Sequence, residues 1–392
     1  MPINALKNTE IALGLGLFPK CDSRSLYKDR FSDPQAKKDA QKNWFEALCK
    51  KPAVTSKRTP WLPVNAEALY ARLMSRLMVD LSGGVMENAN VNLNRYGFPV
   101  IPGSAVKGCA RRMALQAMHD WIAAGTPRPA DDDACAPCCE GFEKPEHMLA
   151  AIARIFGWVE LDWKSGKKDD LYASDFGWAC GERLEETWAA AAQELASAHH
   201  WKLQEEKPWT KLPDFAGTIS FLHASPHTDP GIELDVLTPH HKGYYEGKLK
   251  TATDTEDPVP IFFPAVKSQA GNQNYFTFPL IPLLRAKDGD LALAKRWLSH
   301  GLSLFGLGAK TAAGYGWFED VTETIAPMLL QQKAVAVSIR SHKDFDSWPA
   351  DKKDEAILTL ADQSELCAAW KSISMESFHS IHEYAAQQGL TL

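Results

Sequence analysis

Apolar residues recur at helical spacing in one long stretch of the chain. Val106, Ala110, Met113, Ala117 and Trp121 share a face, and the stripe predicts a helix from Ser104 to about Ala124. Pro102-Gly103-Ser104 ahead of it is turn chemistry, with Ser104 the expected N-cap. Similar patterns predict helices from Met148 to Phe156, near Arg183 to His199, and from about Asp290 to Leu304. Between Gly217 and Pro282 the pattern shortens. Gly217 to His223, Pro260 to Val266 and Tyr275 to Pro282 are β-rich runs separated by Pro, Gly and Asp. Phe98 to Ile101 also predicts a short strand. From Ala66 to about Leu81 the residues mix so densely that a strand or a helix-to-strand element fits, and Ser82-Gly83-Gly84 ends it.

These elements follow an α+β order rather than regular alternation, with no internal repeat. Three regions are expected. Residues 1–65, broken by Pro19, Pro34, Pro52, Pro60 and Pro63, form an N-terminal extension. Residues 66–321 form the core, with 125–147 as an exposed loop. Residues 322–392 form a mainly helical tail.

Composition narrows the class. Of 392 residues, 45% are hydrophobic and 23% charged, ordinary globular values. No run approaches the roughly 18 uncharged apolar residues of a membrane span, and Met1 to Glu10 lacks the basic start of a secretory leader. Eight irregularly placed cysteines do not make a disulfide scaffold, so reduced thiols and a cytoplasmic protein are expected. The net charge of −6 hides an asymmetry: residues 1–130 carry 19 Lys and Arg against 10 Asp and Glu. The first third can therefore attract a polyanion, or simply present solvated basic faces.

Three segments carry candidate chemistry. In IPGSAVKGCARR (101–112), a Pro-Gly turn delivers a helix N-terminus with Lys107 and Arg111 at i, i+4 and Arg112 beside them. Such N–H groups and cations suit a phosphate, although an ordinary solvated helix has the same make-up. GLGAKTAAGYGWF (306–318) places Gly306, Gly308, Gly314 and Gly316 around Lys310, with Tyr315 or Trp317 as a stacking face. It is not a P-loop, since Ala309 rather than Gly precedes the Lys. Nor is it a dinucleotide fingerprint, since Thr311 stands where Gly or Ala is needed and a helix precedes it. ELDVLTPHHKGYYEG (233–247) interleaves His240, His241 and Lys242 with Tyr244 and Tyr245, a mixture suited to RNA. Its adjacent histidines also leave open an acid–base or metal pair.

Cys135-Ala-Pro-Cys138-Cys139 has zinc half-site spacing, with Glu140, His147 and Cys180 as further ligand candidates. No second half-site is visible, and loop thiols are the alternative. There is no G-x-S-x-G elbow. No metal or cofactor is expected.

The three segments occur together in the order and approximate separation found in RAMP proteins, over about residues 66–320. The chain resembles most the sixth-subunit family of the type III-B (Cmr-type) CRISPR effector. The first motif matches through Lys107, Gly108 and Arg111, with Ala105 in place of a second Ser. The middle one matches through Asp235, Thr238, Pro239, His240, Tyr244 and Tyr245, and the last through Gly306, Gly308, Lys310, Thr311, Gly314, Tyr315 and Gly316. The resemblance implies a ferredoxin-like (RRM-like) core with large insertions. It implies a non-catalytic subunit that binds guide RNA near its 3′ end, alongside other RAMP subunits and target RNA, in antiviral defence. The RNA-binding residues expected on this reading are Gly103, Ser104, Lys107, Arg111, Arg112, His240, His241, Tyr245, Gly306, Gly308, Lys310, Thr311 and Tyr315. The alternative is a RAMP endoribonuclease, with Asp235, His240 or His241 assisting proton transfer or metal binding.

Overall fold

The computed structural model describes residues 65–79, 91–94, 98–125, 135–159, 175–202, 212–238, 241–252, 260–268 and 275–392, with Lys42, Phe45, Glu46, Cys49 and Leu62 as isolated positions. The side chains of Glu182, Leu184, Lys242 and Tyr245 are not among what it describes. The predicted extension 1–65 therefore lies almost wholly outside the described residues. The chain divides into two units, one ending at Asp320 and one spanning Val321–Leu392.

The ambiguous run after Ala66 is a strand, β1 (Glu67–Leu73). Leu69, Ala71 and Leu73 alternate into the core, the period of a half-buried strand. The predicted long helix forms as α1 (Gly103–Ala124), with Val106, Ala110, Met113, Ala117 and Trp121 all buried. Its expected cap does not form. The N-cap is Pro102, whose carbonyl accepts the N–H groups of Ala105 (3.0 Å) and Val106 (3.1 Å), and Ser104 stands exposed one position inside the helix. Gly103 opens the helix because the Phe221 carbonyl oxygen passes where its Cβ would be, at 2.2 Å.

The loop expected at 125–147 is exposed only in part. It contains a short buried helix, α2 (Ala136–Cys139), and leads into α3 (Pro145–Phe156). Trp297 Nε1 donates to the Cys138 carbonyl at 3.0 Å, while Arg296 donates to the carbonyls of Pro137 (3.3 Å) and Glu140 (2.9 Å). Helix α3 is buried on every side from Met148 to Phe156. There follow β2 (Gly157–Trp158), α4 (Asp175–Cys180), α5 (Leu184–His199), β3 (Phe215–Ala216), β4 (Ile219–Phe221) and β5 (Ser225–Pro226). The expected strand Phe98–Ile101 is reduced to single bridges, Leu93 to Pro99 and Ile101 to Ala224. Next come β6 (Ile232–Leu237), α6 (Lys242–Tyr245), β7 (Ile261–Val266), β8 (Phe276–Pro282), α7 (Asp290–Leu304) and β9 (Phe318–Asp320).

Strands β4, β8, β1 and β9 form an antiparallel sheet in that order, with β5 also paired to β8. Register is set by apolar pairs such as Leu69 with Phe278 and Leu73 with Phe318. Helices α1 and α7 pack closely on each other, since a Cβ on Gly301 would lie 2.9 Å from the Cys109 carbonyl oxygen. The shared core holds Trp121, Trp158, Trp188 and Trp297. One charged pair lies inside it. Arg154 donates to Asp290 from Nη2 at 2.7 Å and from Nε at 3.1 Å, and the same carboxylate accepts Thr218 Oγ1 (3.1 Å) and the Lys287 N–H (3.0 Å). A buried charge persists only with such a full set of partners.

Strands β6 and β7 form a separate antiparallel pair, bridged to the segment after β1 where Leu77 pairs with Val266. The second unit consists of α8 (Thr322–Ser341), α9 (Ala350–Ala361), α10 (Ser364–Ile373) and α11 (Met375–Gln387) around its own core, which includes Phe345, Trp370 and Phe378.

Candidate nucleic-acid interface

The loop 305–317, between α7 and β9, holds the glycines singled out from sequence. Gly306, Gly308, Gly314 and Gly316 all have positive φ, between 67° and 99°. Three of them are glycine because backbone passes close by. A Cβ on Gly308 would lie 2.2 Å from the Met78 carbonyl oxygen, one on Gly316 would lie 1.9 Å from that of Leu307, and one on Gly306 would lie 2.9 Å from that of Gly316. Hydrogen bonds fasten the same approaches. Ala309 N–H donates to Met78 (2.8 Å), Gly316 N–H to Arg76 (2.6 Å) and Leu307 N–H to Gly316 (2.8 Å). Gly308 and Gly316 thus pin the loop to the segment after β1, and Gly306 closes the loop on itself against Gly316. Gly314 alone of the four has nothing within 4 Å of a Cβ.

At the tip, Lys310 adopts the left-handed conformation (φ 59°) that side-chain-bearing residues rarely occupy, and it starts a 3₁₀ turn through Thr311–Ala313. A residue held there costs about 1–2 kcal/mol relative to an ordinary conformation. Strain of this kind concentrates where function requires a set geometry. Lys310 Nζ lies 5.2 Å from the Phe263 ring centre, and Ala312, Ala313 and Gly314 stand exposed beside it.

The first motif reaches this loop through α1. Cys109 Sγ donates to the Gly306 carbonyl at 3.7 Å, and the Arg112 guanidinium lies 4.3 Å over the Phe305 ring. Arg112 is exposed and Lys107 half-buried. Arg111 turns elsewhere: it forms an ion pair with Asp175 and lies 4.9 Å over Phe176. The sequence holds no sign of this exposed partner for Arg111.

The middle motif meets the loop through Asp235 on β6. Its carboxylate accepts the Tyr315 hydroxyl, the Val236 N–H at 2.8 Å and Arg76 Nη1 at 2.8 Å, while Arg76 also pairs with Glu233. Burial works against ionisation here, but the Tyr315 hydroxyl, the Val236 N–H and the Arg76 guanidinium outweigh it and hold the Asp235 carboxyl below the usual carboxylate range. Burial and the facing carboxylate push the Tyr315 phenol up. Tyr315 is therefore a neutral donor fixed to the hairpin. His240 lies outside the described residues and Tyr245 is described only in its backbone, while His241 is half-buried at the start of α6.

Arg76, Glu233 and Phe263 complete this arrangement and were not anticipated. The available signal was a charged Arg76 between two apolar runs and a Glu233 at the edge of the motif itself.

The cysteine-rich segment does not gather as a metal site. Cys135 donates to Asp120 (3.2 Å) and Cys139 to the Ala117 carbonyl (3.5 Å), and His147 pairs with Glu194. Burial foremost pushes the Cys138 thiol up to about 12. No group of three or more potential ligands occurs among the described residues. Nor, among them, is any helix long and apolar enough to cross a membrane.

Residues 58–319 match the family model described as the RAMP superfamily. A curated relative, the CRISPR system Cmr subunit Cmr6 of Pyrococcus furiosus, is 24% identical over 260 residues, which cover 62% of this chain and 65% of the relative. The chain thus spans less than two thirds of that relative's length. Among solved structures, the crystal structure of Cmr6 from Pyrococcus furiosus aligns at 20% identity with a TM-score of 0.31, over 66% of this chain and all of that one. The cryo-EM structure of the type III-B Cmr-beta bound to cognate target RNA aligns at 14% identity with a TM-score of 0.38, over 81% of this chain and 89% of that one.

Proposed function

We infer that this chain, which belongs to the RAMP superfamily, is a guide-RNA-binding, non-catalytic subunit of a type III-B CRISPR effector. The observation that carries the reading is convergence. The first and middle motifs, remote in sequence, meet the third at its loop through Cys109 with Gly306 and Asp235 with Tyr315, and Phe263 of β7 lies beside Lys310. Core packing alone needs no strained lysine at an exposed tip.

In this reading Lys107, Arg112 and Lys310 contact phosphates and Thr311 lines their path. Gly103, Gly306, Gly308 and Tyr315 hold the frame, Arg111 fixes α1 against Asp175, and Ser104, His240, His241 and Tyr245 are available to sugars or bases. The order β4-β8-β1-β9, with α1 between β1 and β4 and α7 between β8 and β9, supports a ferredoxin-like (RRM-like) core carrying insertions. On that plan residues 66–321 are the RNA-binding core and 322–392 an appended helical tail. Location near the 3′ end of the guide, contact with target RNA and neighbouring RAMP subunits, and a cytoplasmic site of action all belong to this proposal. They are supported by likeness to a relative described as a Cmr subunit.

An endoribonuclease is disfavoured at Asp235, because a carboxylate already bound by Arg76, Tyr315 and a backbone N–H is a poor general base.

The test measures binding of a fluorescein-labelled single-stranded RNA to the full chain across salt concentrations. Arg112→Ala with Lys310→Ala should weaken binding and flatten the log–log salt slope by about 1.4, since each lost phosphate contact on a single strand accounts for about 0.7. An unchanged slope would refute the assignment. Metal-dependent cleavage of the RNA that Asp235→Asn abolishes would establish the enzyme instead.

A further inference from the structure

A second cluster of cations and aromatic rings lies at the end of α5. His199 stacks on Trp201 with ring centres 4.4 Å apart, and Phe215 of β3 closes the group at 5.5 Å from Trp201 and 5.8 Å from His199. All three rings are half-buried, so each keeps solvent-accessible surface. His200 caps α5 in the left-handed conformation and turns the chain so that Lys202, exposed, follows directly. The turn between β8 and α7 reaches the same place, where Leu283 N–H donates to the Thr218 carbonyl at 2.8 Å, three residues beyond Phe215. That turn exposes Arg285, Lys287 and the whole of Leu284. Burial and then the surrounding Arg285, Lys287, Arg154 and His200 lower the His199 pKa, while the exposed Asp214 and Asp288 adjoin Phe215 and Lys287 in the chain. Arg154 is already held by Asp290, which leaves Arg285, Lys287 and Lys202 as the outward cations.

We propose that Lys202, Arg285 and Lys287, grouped around the His199–Trp201–Phe215 rings, form a second binding surface for single-stranded RNA, separate from the glycine-loop interface. The cations take phosphates and the rings take an unpaired base, the pairing of contacts that single strands require. An acidic protein segment would use the cations and gain little from the rings, which favours RNA.

The experiment uses the full chain in the Arg112→Ala, Lys310→Ala background, so that a failure of the glycine-loop reading stays distinguishable from a failure here. A fluorescein-labelled 12-residue oligouridylate is titrated, and ultraviolet crosslinking is followed by peptide mapping. Expected results are a crosslink at the peptide bearing His199 and Trp201, and a salt slope that falls by about 1.4 on Arg285→Glu with Lys287→Glu. Both substituted side chains are exposed, and thermal melting verifies that the fold is kept. Trp201→Phe should retain most of the affinity and Trp201→Ala should lower it several-fold. An unchanged slope with the two reversals overturns the proposal. So does polyglutamate competing as well as the oligouridylate, because the surface would then serve an acidic protein.

Discussion

Gly308→Ala separates two explanations of the glycine loop. Alanine at φ +99° carries a conformational cost of about 1–2 kcal/mol. Its Cβ would also sit 2.2 Å from the Met78 carbonyl oxygen and 3.2 Å from Val79 Cγ2, so loop and neighbouring segment must part. Relieving such overpacking costs about 1–3 kcal/mol. Losing the 2.8 Å bond from Ala309 N–H to Met78 adds about 1 kcal/mol. The expected destabilisation is about 3–6 kcal/mol, a large part of the roughly 5–15 kcal/mol that holds a typical protein folded. Gly314→Ala is the control. It has a similar φ of +90° but nothing within 4 Å, so only the conformational cost of about 1–2 kcal/mol applies. Urea unfolding of the full chain, followed by near-ultraviolet circular dichroism, reads the difference, and RNA titration in the folded baseline accompanies it. Equal midpoints for the two variants would refute the packing argument. Lost RNA affinity at unchanged stability in Gly308→Ala would show that the glycine clears space for the ligand.

Asp290→Ala strands the buried Arg154 guanidinium and removes the acceptor of Thr218 and Lys287. It should cost about 3–5 kcal/mol by urea unfolding, whereas Arg154→Met combined with Asp290→Leu should recover most of the loss. Burial lowers the His300 pKa below the 6.5 of an unfolded chain, so below about pH 6.5 the unfolded state takes up the extra proton. Stability should therefore fall as pH drops from 7 to 5, and His300→Gln should flatten that melting profile; an unaltered profile counts against it. Cys138 and Cys180, both raised to about 12 chiefly by burial, should resist iodoacetamide in the native protein and react once it is denatured.

Much of the fold was legible where periodicity was strong and local. The α1 stripe forms its buried face, and the helices ending at Phe156, His199 and Leu304 follow their patterns closely. Errors arose where distant backbone decided the outcome. Ser104 has ideal capping chemistry, yet the N-cap lies two residues earlier at Pro102, where Phe221 approaches Gly103. The 125–147 stretch reads as polar loop, but Trp297 and Arg296 on α7 bind its carbonyls and bury Cys138 and Cys139. In the candidate interface the motifs were legible one at a time, whereas their meeting was not. Arg76 and Asp235 stand 159 positions apart. Nothing in sequence spacing indicates that Arg111 will turn to Asp175 while Arg112 faces Phe305.

The placement of β1 between β8 and β9 bears on biosynthesis. Arg72 and Glu319, which face each other across β1 and β9, are 247 residues apart along the chain. At translation rates of about 5–20 residues per second, roughly 12–50 s separate the emergence of β1 from that of its final partner. Until β8 emerges, a strand carrying two leucines and a tyrosine has no neighbour on either edge, and one edge stays open until β9 follows. Aggregation of nascent chains during rapid overexpression, relieved by a chaperone that shields extended apolar segments, is the expected consequence.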